Sequence, residues 1–349
     1  MFLYLLIFLI AFVSTLLLTP VVRLLALKIG AIDNPAERKV HEKPIPRLGG
    51  LALYCGFILA AVVGLFASYF SGVGFTVSPV TITGVLLSAT MLLIIGIIDD
   101  VRGVRPVIKL FFQVVAASVA VYFGVEIGFL SNPFNGFLYL GVASIPITIL
   151  WLVGITNAVN LIDGLDGLAS GIAAIASVTL FFVALRTNQP VSAVILLALA
   201  GASAGFLRYN FNPASIFLGD SGSLFVGFVL ASASVVGVLK STLLIALVIP
   251  VMILGVPIFD TIFTIIRRIR ARVHIFEADD RHIHHRLLEA GLTHREAVMA
   301  IYFVCFLLSS GALAVTFLNT FESLILLGVI MVVAGISVNT IRERISDGS

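Results

Sequence analysis

Asn157 to Gly167 reads N-A-V-N-L-I-D-G-L-D-G, and the runs on either side, Ile145 to Ile155 and Leu168 to Leu185, carry no charge. Two amides and two carboxylates at three-residue spacing are out of place in such surroundings. An unpaired polar group in the hydrocarbon of a bilayer costs several kcal/mol. The stretch therefore sits at a membrane surface, lines a site, or does both, and the rest of the sequence argues for both. On a continuous α-helix each three-residue step turns by about 300°, so Asn157, Asn160, Asp163 and Asp166 would spiral across half the circumference and miss a common ligand. Gly164 and Gly167 predict a break near Gly164 instead. Asn157 and Asn160 then end one helix, Asp163 and Asp166 occupy a turn, and Asp166 caps the next helix.

The 349-residue chain is 60% hydrophobic and 11% charged, with a mean hydropathy of +1.17. A soluble domain carries about 25% charge, so the expectation is an all-α polytopic membrane protein. A span needs about 20 apolar residues. That ruler predicts about eleven transmembrane helices, near 2–22, 48–68, 80–98, 108–124, 140–158, 165–185, 190–207, 217–237, 242–263, 297–317 and 321–338. They form one integral-membrane domain over 1–349, with polar loops near 23–47, 99–108, 157–167, 208–217 and 264–296. The uncharged stretch Met1 to Val22 has no basic leader region and reads as an uncleaved first span. Cys55 and Cys305 lie in apolar runs and imply neither a disulfide framework nor a metal cluster.

Taken alternately, one set of loops carries 19 of the 21 Lys and Arg residues; the other set holds only Arg186 and Lys240. The positive-inside rule makes the first set cytoplasmic, with the N-terminus outside and the C-terminus inside. All six histidines and all acids except Glu126 and Glu322 fall on that same side. Topology hardly sorts acids and histidines, so the inner face holds the material for chemistry.

Several groups stand out there. Asp99 and Asp100 end the third span, where two adjacent acids repel and oppose the helix dipole. A metal, a base role or a cationic substrate would offset that cost. Arg102, Arg105 and Lys109 follow. Phe217 to Ser223 reads F-L-G-D-S-G-S; its small residues allow close backbone approach, and Asp220 there can hold Mg²⁺ through hard oxygen ligands that bridge phosphates. R-R-I-R-A-R at 267–272 reads mostly as stop-transfer charge. His282-Ile283-His284-His285-Arg286 suggests phosphate contact; a zinc site is the weaker reading, since the spacing fits no common motif. Carboxylates for a divalent metal, cations for phosphates and a membrane for a lipid together imply phosphoryl transfer.

These residues resemble the polyprenyl-phosphate N-acetylhexosamine-1-phosphate transferases, the glycosyltransferase 4 superfamily. It contains the bacterial WecA/TagO-type enzymes, the muramoyl-pentapeptide transferases and the eukaryotic dolichyl-phosphate enzyme. The resemblance rests on R-K-V-H-E-K-P-I-P-R-L-G-G at 38–50, D-D at 99–100, N-A-V-N-L-I-D-G-L-D-G-L at 157–168, F-L-G-D-S-G-S at 217–223 and H-I-H-H-R at 282–286. The H-I-H-H form and the R-K-x-H start resemble the GlcNAc branch. The resemblance implies transfer of GlcNAc-1-phosphate from UDP-GlcNAc to undecaprenyl phosphate, giving undecaprenyl-diphospho-GlcNAc and UMP. The cofactor would be Mg²⁺ or Mn²⁺ and the place the cytoplasmic face of a bacterial plasma membrane, at the start of an envelope glycan such as teichoic acid or lipopolysaccharide.

By motif, Asp220 is the implied metal ligand, helped by Asn160, and Asp99 and Asp100 serve the lipid-phosphate side, with Asp99 as a base. Asp163 and Asp166 lie on the nucleotide and metal side. Phe217 stacks on uracil, Asn210 bonds its edge, and Lys109, His284 and His285 hold phosphates; Asn157 and His282 complete the implied substrate-binding set. Arg47 receives no role. Another UDP-HexNAc, such as UDP-MurNAc-pentapeptide, is the alternative donor. A secondary transporter is the distant rival, with Asp260 near the inner end of span nine as its best support. No nucleic-acid partner is implied, and the apolar outer faces of the spans leave room for a homodimer.

Overall fold

The described residues of the computed structural model are 2–34, 44–70, 77–132, 136–239, 248–271, 282–318 and short pieces within 321–329. Among the described residues, eight helices are long and apolar enough to cross a membrane. In chain order the helices are α1 (Phe2–Ile29), α2 (Gly49–Phe70), α3 (Pro79–Arg102), α4 (Pro106–Tyr122), α5 (Ser144–Ile162), α6 (Leu168–Arg186), α7 (Pro190–Asn210), α8 (Gly219–Ser234), α9 (Val248–Ile253), α10 (Gly255–Ala271), α11 (Ile283–Glu289) and α12 (His294–Val315). The chain is thus a helical polytopic membrane protein. Expectation and structure differ at span nine, which is divided into α9 and α10 around Leu254. The start of that span, most of the expected eleventh, and Arg38, Lys39, His41, Lys43, Lys240, Arg272, His274, Arg281, Arg342 and Arg344 lie outside the described residues.

The chain is not purely helical. Ile32–Asp33 (β1) pairs antiparallel with Ile45–Pro46 (β2), and Phe129–Asn132 (β3) with Gly136–Tyr139 (β4). The first ribbon matters for the site. The Phe217 N–H donates to the Pro46 carbonyl, while the Gly49 and Gly50 N–H groups donate to the carbonyls of Phe217 and Leu218, each at 2.9 Å. Two motifs far apart in sequence are therefore stitched together by main-chain bonds.

α8 is the most buried span, followed by α7, whereas α1 and α12 are the least buried. Every residue of α8 from Ser221 to Ser234 is buried. Helices in a bilayer gain little from burying apolar groups against each other, so close packing of small residues holds them together. α2, α3 and α5 all pack on α8, each at a glycine. A Cβ on Gly50 would run into the Gly222 backbone, one on Gly96 into Ser221, and one on Gly227 of α8 itself would lie 2.9 Å from Thr156 Cα. These contacts bring the ends of α3 and α5 and the start of α2 to the start of α8.

Gly50→Ala is accordingly expected to cost about 1–3 kcal/mol through overpacking, read as a lower melting temperature in detergent. Gly154→Ala is the control, since nothing lies within 4 Å of an added Cβ there; equal melting of the two variants would contradict the close-packing account.

Candidate active site

The helix break expected near Gly164 is present: α5 ends at Ile162 and α6 begins at Leu168. Asp166 does not cap α6. Gly167 stands at that position with φ of 82°, and no side chain caps the helix. The Asp166 carboxylate instead accepts from Asn212 Nδ2 and the Ala214 N–H, both at 3.0 Å, while its own N–H donates to His294 Nε2 at 2.9 Å. Asp166 thus ties the turn to the 212–214 loop. Helix α12 closes the same region, with Arg295 Nε donating to the Asn212 carbonyl and the Tyr302 hydroxyl to that of Gly167.

The turn, the α7–α8 loop and the ribbon β1–β2 enclose a cavity of about 670 Å³. Asp100, Asp163, Asp166 and Asp220 line it, together with Asn210, Phe217, Arg23, Arg47, His285 and His294. Beside it lies a charge network. Lys109 Nζ donates to Asp220 Oδ2 at 2.5 Å and to Asp99 Oδ2 at 3.1 Å. Asn160 Nδ2 donates to Asp220 Oδ1 at 3.2 Å and to Ser223 Oγ at 2.8 Å. Asp99 Oδ1 accepts the Val104 N–H at 2.5 Å. The structure thus brings Asp99, Lys109, Asn160 and Asp220 together from four helices.

The two adjacent acids that end α3 do different things. Asp99 faces Lys109. Asp100 is 7% exposed and accepts the N–H groups of Asp220 and Ser221, at 2.9 and 3.1 Å. It satisfies two of the N–H groups that the start of a helix leaves without partners. Gly219, with φ of 72°, lets this happen, because a Cβ there would meet the Asp100 carboxylate at 2.5 Å.

Other expected residues are engaged by the protein itself. Asn157 is locked amide to amide with Gln113 of α4 and also donates to the Val153 carbonyl at 2.8 Å. Asn210 lines the cavity, yet it accepts from Ser170 Oγ at 2.7 Å and donates to the Ile216 carbonyl at 3.1 Å. His282 Nδ1 lies 2.6 Å from Asp260 Oδ2, and Asp260 Oδ1 accepts the Ile283 N–H at 2.8 Å. Asp260 therefore docks α11 on α10, and in that engagement it no longer reads as a group on a transport path. His284 is 1% exposed, stacked parallel to His282 and tilted on His285. Burial and the neighbouring histidines push it down to about 3, so its ring is neutral. A Cβ on Gly164 would collide with that ring. His284 is not among the residues that line the cavity, whereas His285 is.

Sequence reasoning missed Gln113, Asp33, Arg47 and His294. Gln113 had a signal, since it lies four residues after Lys109 in an apolar run and so shares its helix face. His294 had none: its partner is a backbone N–H, which no motif records.

Asp163 takes no hydrogen bond to its carboxylate from any described residue. Burial, followed by the charges of Asp220, Asp100 and Asp166, holds it well above the ordinary carboxylate range despite the opposing charge of Arg47. Asp99, Asp100, Asp163, Asp166 and Asp220 thus outnumber Lys109, Arg23 and Arg47 around the site, while the half-buried ammonium of Lys109 bridges two of the acids. Such an arrangement can position a phosphorylated substrate together with a cation.

Residues 82–238 match glycosyl transferase family 4. The chain is 40% identical over 326 residues to the probable undecaprenyl-phosphate N-acetylglucosaminyl 1-phosphate transferase of Bacillus subtilis (strain 168), covering 93% of this chain and 88% of that one. It is 38% identical to the decaprenyl-phosphate N-acetylglucosaminephosphotransferase of Mycolicibacterium smegmatis, over 90% of this chain and 82% of that one. It is 27% identical to the undecaprenyl-phosphate alpha-N-acetylglucosaminyl 1-phosphate transferase of Escherichia coli (strain K12), over 84% and 78%.

Asp163 sets a pH dependence. Unfolded, it ionises near pH ~3.9; folded, it ionises higher. Between these points the folded chain holds more protons, so stability falls as pH rises through the window and stays lower above it. Without divalent cations, Asp163→Asn should melt higher than wild type at pH 7, with the difference gone below about pH 4. Identical melting of the two proteins at pH 7 would refute the charge excess at this turn.

Proposed function

The chain belongs to glycosyl transferase family 4, and on that premise we propose that it transfers GlcNAc-1-phosphate from UDP-GlcNAc to undecaprenyl phosphate, releasing UMP. The observation that carries the reading is the convergence of Asp99, Lys109, Asn160 and Asp220 beside the cavity lined by Asp163 and Phe217. The names of the relatives support the transferred group and the polyprenyl phosphate class of the acceptor; the mycobacterial one names decaprenyl phosphate.

In this reaction an oxygen of the lipid phosphate attacks the phosphorus that bears the sugar. The bond from that phosphorus to the bridging oxygen breaks, and UMP leaves with the oxygen. A phosphate monoester is already largely ionised at pH 7, so proton removal by Asp99 is a small contribution. The chain's task is to position anions that repel each other and to neutralise charge as it moves. Lys109, held between Asp99 and Asp220, supplies a fixed ammonium for this. Phe217 offers a face to the uracil. The backbone bonds from Pro46, Gly49 and Gly50 to the 217–218 segment keep that ring in place.

Mg²⁺ is the proposed cofactor, with Mn²⁺ as the substitute. No group of three or more Asp, Glu, His or Cys side chains among the described residues is arranged to hold a metal alone. Magnesium usually takes one or two carboxylates plus substrate phosphates. Asp220, Asn160 and the carboxyl of Asp163, which takes no hydrogen bond from a described residue, fit that donor set, and the neighbouring carboxylates of Asp100 and Asp166 favour a cation there. Bound, the metal would neutralise diphosphate oxygens. The proposed setting is a bacterial plasma membrane with the site end of the bundle cytoplasmic, by the distribution of Lys and Arg.

Purified protein with UDP-GlcNAc, undecaprenyl phosphate and Mg²⁺ should release UMP, and chelation should stop it. Failure with UDP-GlcNAc, UDP-MurNAc-pentapeptide and every other UDP-HexNAc offered would sink the reading. Asp220→Asn should lower turnover by about a hundredfold or more without loss of membrane insertion; wild-type turnover would remove Asp220 from the site.

A further inference from the structure

We infer that Arg47, oriented by Asp33, is a phosphate-binding residue of the cavity: its guanidinium takes phosphoryl oxygens of an anionic substrate. The inference rests on the transferase reading. Its basis is the ribbon β1–β2 and what the ribbon presents.

Asp33 lies opposite Ile45 in the ribbon, and Arg47 follows β2 directly. The Arg47 N–H donates to the Ala31 carbonyl at 2.9 Å. On either side of it, Pro46 and Gly49 are bonded to Phe217. The main chain carrying Arg47 is therefore fixed at three points. Its guanidinium is fixed as well, with Nη2 at 2.6 Å from Asp33 Oδ1. The Asp33 side chain is 11% exposed, whereas the Arg47 side chain keeps 35% of its surface and lines the cavity. A guanidinium carries five donors in a rigid plane. One carboxylate oxygen on one nitrogen orients the plane and leaves an edge for a second acceptor.

The chemistry of the cavity calls for that edge. Asp100, Asp163, Asp166 and Asp220 line the space, and any phosphate entering it meets like charge. Lys109 is not among the lining residues; it is engaged by Asp99 and Asp220. Among the described lining residues, only Arg23 and Arg47 carry a permanent positive charge. Arg23 sits exposed on α1, while Arg47 is anchored at backbone and side chain. Arginine is the residue suited to such a contact, because its fork matches two phosphoryl oxygens at once. Two substrates bring that group: the diphosphate of the nucleotide sugar and the phosphate monoester of the lipid.

The test uses the full chain in detergent and separates these sources. Arg47→Gln and Arg47→Lys are compared with wild type for calorimetric affinity to UDP and to uridine, and for KM toward undecaprenyl phosphate. Arg47→Gln is expected to weaken UDP about ten- to a hundredfold with uridine unchanged, and Arg47→Lys to recover part of the loss. A rise in KM for undecaprenyl phosphate with UDP unchanged supports the same inference and assigns the contact to the lipid. Asp33→Asn should move the same constant in the same direction by less. If Arg47→Gln fails to fold because it strands Asp33, the double variant Asp33→Asn/Arg47→Gln removes both charges and is read in the same way. All constants within about twofold of wild type would overturn the inference, as would an equal loss of UDP and uridine. A wild-type protein that binds UDP but releases no UMP would sink the transferase reading, with the UDP and uridine comparison still deciding whether Arg47 holds phosphate.

Discussion

The carboxylate of Asp100 accepts two backbone N–H groups at the head of the most buried helix, and the site depends on that contact. A helix start inside a protein leaves donors that water cannot reach, and a buried carboxylate is costly unless bonded. Each solves the other's problem. The pairing fixes α3 against α8, and Gly96 and Gly219 leave room for it. Because α8 is held there, Asp220 in its first turn lies within reach of Lys109 from α4 and Asn160 from α5.

Main-chain bonds set the remaining walls. The ribbon β1–β2 carries Arg47 and grips the 217–218 segment that carries Phe217. Asp166 grips the 212–214 loop and is gripped in turn by His294. Asp260 and His282 dock α11, so that His284 packs on Gly164 and His285 reaches the cavity. Most conspicuous polar residues thus hold backbone. Asp163, His285 and one edge of Arg47 are among those that face the cavity. A division of this kind is what phosphoryl transfer needs, since the protein contributes position and charge rather than covalent chemistry.

Much of this was legible in the order of residues. The apolar runs announced a polytopic helical chain, although eight rather than eleven helices among the described residues are long enough to cross a membrane. Gly164 and Gly167 among three-spaced polar residues announced a broken helix, and the break is there. Asp220 and Asn160 were expected together and lie 3.2 Å apart. The structure adds what the sequence does not display: Asp166, Asn157 and Asn210 are bonded to a loop N–H, a glutamine and a carbonyl, and the His284 ring packs on the Gly164 turn.

The sequence by itself determined the class of the chain and the set of residues from which a site could be made. Hydrophobicity, charge sorting and glycine breaks are one-dimensional properties, and their energies are large. Only the tertiary structure decided which polar groups face a substrate and which face the protein. That choice turns on unpaired backbone groups at buried helix ends and loops, and every residue type carries those alike, so side-chain pattern cannot display them.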